Sequence, residues 1–136
     1  MSASASTQAQ IQHLVPPGTV VETDGAGAAF ELGALAGKPV LIVLNVAEII
    51  EQESLHVSVW SSADGKDWGQ QAVFWFPQKF YQGIAPAALD LGQLPTAKFL
   101  QARWQLNRWG RGDPRPHFKF GVEIQEFVPG PGRDAR

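Results

Sequence analysis

Three histidines, a run of glutamates and an arginine-rich loop are the residues of this chain with chemistry to offer. His13, His56 and His117 lie in separate segments with no His-x-His or Glu-x-x-His spacing, so no transition-metal site is expected. Glu48, Glu51 and Glu53 have the chemistry of a hydrolytic carboxylate pair or of calcium ligands, but their spacing matches no calcium loop, and an acidic strand edge is the simpler expectation. The chain has no cysteine, no Gly-x-Ser-x-Gly elbow and no glycine-rich phosphate loop leading into a helix. A nucleophile would have no partnered base. The expectation is a protein that is not an enzyme and carries no cofactor.

Binding chemistry is better represented. Arg108-Trp109-Gly110-Arg111-Gly112-Asp113-Pro114-Arg115-Pro116 is a loop broken repeatedly by Gly and Pro, ending at His117. Arg108, Arg111 and Arg115, with Arg103 and Lys119 on the flanking segments, form a candidate basic surface around Trp109. A guanidinium fork suits carboxylate or phosphate partners, and tryptophan is a frequent interface anchor. A solvated loop with Trp109 packed back on the body is the equal alternative. Arg111-Gly112-Asp113 spells an integrin-recognition tripeptide, a coincidence that a Gly/Arg-rich loop readily produces. Phe80 and Tyr81, with Trp75 and Trp60, offer a candidate aromatic platform for sugar stacking, against which ordinary core packing is the favoured expectation.

The elements that must position these residues read as strands. Leu55, Val57 and Val59 alternate with His56, Ser58 and Trp60, the period-2 signature of a strand with one buried face. Ser62-Ala63-Asp64-Gly65 supplies turn chemistry, Trp68 can fold back over it, and Gln71 to Phe76 reads as the return strand. Lys98 to Asn107 and His117 to Ile124 alternate equally well. Val40 to Val46 is apolar on both faces, as in a central strand, and an edge, a bulge or a short helical turn is expected over Ala47 to Glu53. Thr19 to Glu22, Ala28 to Leu32 and Ala87 to Leu91 are short strand candidates. No amphipathic helix of three turns is present. About eight strands with frequent Gly/Pro punctuation predict an all-β, antiparallel β-sandwich of jelly-roll type. It spans residues 18–128, between a flexible N-terminal arm over residues 1–17 and a disordered tail over residues 129–136.

The 136 residues suit one domain, and five Trp with eight Phe supply large apolar area for its core. A formal net charge of −2 argues against a general nucleic-acid binder, so no specific nucleic-acid partner is expected. Charge is uneven along the chain: residues 1–67 hold two basic and eight acidic side chains, and residues 98–119 hold six basic and one acidic. Such polarity can join the basic patch of one copy to the acidic patch of another, or simply face solvent. The Ser/Ala-rich start carries no secretory signal pattern, and no apolar run reaches a bilayer's width. A cytoplasmic protein, or part of a virion-like particle, without membrane insertion is expected.

Ser61-Ser62-Ala63-Asp64-Gly65-Lys66-Asp67-Trp68, with Asn45-Val46 and Phe118-Lys119-Phe120-Gly121-Val122, resembles small β-sandwich structural proteins of tailed phages and prophages over roughly residues 38–127. The same hairpin, with Lys98 to Trp104, more weakly resembles discoidin-type, galactose-binding-like domains, which commonly end in a Cys pair that this chain lacks. The first resemblance implies a non-catalytic coat, decoration or tail-associated subunit that self-assembles, or docks onto a larger protein assembly. The second implies a carbohydrate-binding module working through loops at one end of the sandwich.

Overall fold

Two alternating apolar stripes that face each other settle the architecture. The computed structural model describes residues 11–50, 53–109 and 117–127. Its strands are β1 (Gln12–Val21), β2 (Gly25–Ala26), β3 (Phe30–Glu31), β4 (Pro39–Ile49), β5 (Glu53–Ser62), β6 (Phe74–Trp75), β7 (Gly83–Asp90), β8 (Phe99–Arg108) and β9 (Phe118–Glu126). One sheet has the order β1-β9-β4-β7, and the other β2-β8-β5-β6 with β3 also on β8. All pairings are antiparallel.

The pairings are nested. β1 pairs with β9, β2 and β3 with β8, β4 with β7, and β5 with β6, as in one long hairpin folded upon itself. β4 against β9 and β5 against β8 then close each sheet. This is the jelly-roll order, and the all-β sandwich expected from the alternation is what forms.

The inner faces make one core. Val40, Ile42, Leu44 and Val46 of β4 and Phe118, Phe120, Val122 and Ile124 of β9 meet Leu55, Val57 and Val59 of β5 and Leu100, Ala102 and Trp104 of β8. Trp104 joins the layers edge-on to Phe120, with ring centroids 5.4 Å apart, and its indole N–H donates to Thr23 O at 3.1 Å. A buried indole therefore keeps its polar partner.

Several boundaries differ from the expectation. Residues 12–17, assigned to the flexible arm, belong to β1 instead. The register slips between Val15, opposite Val122, and Thr19, opposite Phe120, so Pro16-Pro17-Gly18 bulges out of the ladder. Prolines have no N–H to give, and an edge strand tolerates them at a bulge. The bulge crosses Gly121, where a Cβ would lie 2.8 Å from Pro17 Cα, so only glycine fits beneath it. Residues 1–10 and the tail 129–136 lie outside the described residues.

Asp64-Gly65 does not close a tight hairpin, and the return strand is only Phe74–Trp75. Side chains organise the connection instead: Ser62 Oγ accepts from the N–H groups of Asp64 and Gly65, and Asp64 Oδ1 accepts from those of Lys66 and Asp67. These bonds, with the hydroxyl of Ser62, hold the Asp64 carboxyl down at about 2. Gly65 takes a φ of 79° above the Phe99 ring. Trp68 is half-buried and lines a shallow recess with Thr96 and Ala97. β7 starts at Gly83, ahead of the expected Ala87, and runs through Pro86, because β7 is an edge strand. The expected bulge in β4 falls between Val46 and Glu48.

Candidate functional site

The residues expected to form one interaction surface fall into three places. Arg111 and Arg115 lie outside the described residues.

The first place is one end of the sandwich, where the connections after β4, β6 and β8 gather. Phe80 and Tyr81 precede β7 and Trp109 follows β8. With Ile49, Ile50, Glu53 and Gln82 they line an open recess of about 670 Å³. Phe80 and Trp109 stand 6.1 Å apart, and Tyr81 is 78% exposed. Trp109 is therefore not packed back on the body, nor are Phe80 and Tyr81 core residues. Glu53 lies at the base and is fully buried. Its two oxygens accept from Ile50 N–H at 2.9 Å and His117 N–H at 3.0 Å, tying two of the end connections together. This corrects the acidic-edge reading for Glu53. Its signal was present in the sequence, since Glu53 shares the odd, inward register of Leu55, Val57 and Val59. Glu51 lies outside the described residues. Arg108, opposite Glu53 across the β5–β8 ladder, is half-buried at the same end.

The second place is the start of β9. His117 Nε2 lies 3.2 Å from Glu48 Oε1, and Lys119 Nζ lies 3.4 Å from Glu48 Oε2. Hydrogen bonds from His117 and then Lys119, with the Lys119 charge, hold the Glu48 carboxyl below its ordinary value. The opposite charges of the two halves of the chain thus meet inside one molecule, because nested pairing sets early strands beside late ones. At the far end of β4 the polarity is reversed, with Lys38 and Glu126 3.8 Å apart.

The third place is the outer face of the second sheet. The alternation that buries Leu55, Val57 and Val59 turns His56, Ser58 and Trp60 outward, and β8 turns out Gln101, Arg103 and Gln105. Arg103 lies over the Trp60 ring at 4.1 Å, and its Nε–H donates to Gln101 Oε1 at 2.9 Å. The Gln101 amide nitrogen donates to Gly27 O at 2.9 Å, and the Trp60 indole N–H to Ser58 Oγ at 2.9 Å. On the other side of β5, Trp75 is 44% exposed and its ring centroid is 4.5 Å from that of His56. The four-aromatic platform does not form as one unit: Trp60 and Trp75 share this face, while Phe80 and Tyr81 stand at the open end.

No protein-family model and no curated protein matches the chain. The arrangement itself must carry the functional reading.

Among the described residues no three His, Asp or Glu side chains group as a metal site, and no helix is long and apolar enough to cross a membrane. Glu48 and Glu53 are committed to separate partners. What the described side chains offer is an apolar end and a sheet face of aromatic and amide groups around one guanidinium. Sequence reasoning named Arg103 and passed over His56, Gln101 and Gln105, although their polar register was the available signal.

Proposed function

We propose that the protein is a non-catalytic structural β-sandwich subunit that self-assembles or docks onto a larger, phage-like coat, decoration or tail assembly. The observation that carries the reading is the open end, where Phe80, Tyr81 and Trp109 are exposed around one recess, with Ile84, 63% exposed, three residues beyond Tyr81 on β7. Large apolar side chains gathered in one place mark protein contact surfaces. The manner of association is also constrained. β6, β2 and β3 are two residues long, and the outer strands of the other sheet carry Pro16, Pro17 and Pro86. Such edges oppose strand-to-strand extension, so copies meet through faces and ends. By analogy of fold, viral coat proteins use the jelly roll in this way.

The test is light scattering behind a sizing column, with images of the peak. A uniform oligomer that dissociates when Tyr81 and Trp109 are both replaced by Ser is the expected result. A monomer at high concentration overturns the reading.

A second reading, a carbohydrate-binding module, is favoured by one observation, the outward tryptophans of the second sheet. Jelly rolls are also lectin folds.

A further inference from the structure

We infer that the outer face of β5, β6 and β8 is a binding site for an acidic saccharide, with Arg103 receiving the sugar's carboxylate and Trp75 stacking against a sugar ring. The inference rests on the second reading above and names the ligand class and the anchor.

Arg103 carries the argument. It is the one Arg, Lys, Asp or Glu that these three strands turn outward, and among the described residues no carboxylate pairs with it. The nearest acidic strand residue on that side of β8 is Glu31, which is opposite Phe99, four residues along the strand. The carboxylate of Asp24 accepts the Leu106 N–H at 2.7 Å. The salt bridges described above all lie on the first sheet, and this arginine of the second sheet has been left without an anion among the described residues.

It has nevertheless been fixed in place. The stack on Trp60, the bond from Nε to Gln101, and the anchoring of Gln101 on Gly27 hold one edge of the guanidinium. Its two terminal nitrogens keep the parallel N–H pairs that fit a carboxylate. Ordering the side chain in advance removes part of the entropy cost of binding.

The surroundings select a sugar over a bare anion. Arg103 and Trp75 are both in register with Ser58, from opposite sides, so they stand two strand spacings apart, roughly 10 Å. That is a span two adjoining sugar rings cover. Trp75 is backed by His56 and open outward, a flat apolar surface for the C–H face of a pyranose. Gln105, exposed two residues along β8 from Arg103 and opposite His56, offers both a donor and an acceptor to ring hydroxyls.

The experiment titrates the full chain with oligogalacturonate, a neutral cello-oligosaccharide and polyglutamate, read by calorimetry and tryptophan fluorescence. Saturable binding of oligogalacturonate is expected, weakened by added salt and about tenfold or more in Arg103→Gln, as for loss of a charged hydrogen bond. Trp75→Ala should weaken it as well; competition by free galacturonate on the unaltered protein tests the same point if that variant misfolds. Equal binding of the neutral oligosaccharide, unchanged in Arg103→Gln, overturns the acid-specific inference and leaves the carbohydrate reading standing. Equal binding of polyglutamate assigns the face to an acidic polypeptide and overturns it. No binding of any probe removes the inference and the carbohydrate reading together, while the assembly reading is decided by the scattering experiment alone.

Discussion

The two sheets present opposite outer faces built by the same alternation. On β1-β9-β4-β7, Glu48 is engaged with His117 and Lys119, and β7 adds the aliphatic Ile84, Pro86 and Ala88. On β8-β5-β6 there are two tryptophans, amides, a histidine and an arginine facing no carboxylate. The first face pairs Glu48 with His117 and Lys119 from within the chain. The second has held a charge ready and left it unspent. On the readings proposed above, the second face is the one that recognises a polar ligand.

The strongest way to break this comparison is to uncouple the layers. Phe120→Ala removes the ring that Trp104 meets across the core and should cost about 3–5 kcal/mol, seen as a large fall in the urea midpoint. Both faces should then lose their distinct behaviour together. Gly121→Ala acts on the first sheet alone, since its new methyl collides with Pro17 in the bulge. A loss of about 1–3 kcal/mol is expected, with any oligogalacturonate binding by the second face retained by the folded fraction.

Smaller changes sharpen the contrast. Ile84→Ser should change monomer stability by less than about 0.5 kcal/mol, because the side chain is exposed, yet reduce association measured by light scattering. Acid titration should distinguish the faces too. The Glu48 carboxyl sits below its ordinary value of 4.5, so its contribution is present above that pH and is lost as pH falls through the lowered folded value. Glu48→Gln should therefore narrow the difference between urea midpoints at neutral and acid pH. Arg103→Gln should leave that difference unchanged.

The alternation of β5, β8 and β9 made the sandwich legible, since apolar residues at every second position admit one buried face. Polar register on β5 and β8 likewise announced the second outer face, residue by residue. Other features had no local signature. Pro16-Pro17-Gly18 reads as a chain break, and only Gly121, more than a hundred positions away, shows that a strand continues beneath it. The Asp-Gly turn gave the site of reversal and not its form, because Ser62 and Asp64 satisfy the backbone donors that a tight ladder would have used. Charge polarity read along the chain pointed outward, to a second copy or to solvent. The nested strand order, invisible in sequence, brings Glu48 to His117 and Lys119 within one copy.

That nesting has a consequence for synthesis. Each of β1 to β5 takes its partners only from β6 to β9. As the chain leaves the ribosome, β4 and β5 emerge with their apolar stripes and open hydrogen-bonding edges and nothing to pair with. Contacts so distant in sequence form slowly, and the waiting half is the stage most exposed to aggregation. A fragment ending before β8 should accordingly be insoluble, and the rate of maturation should be set by the arrival of the last two strands.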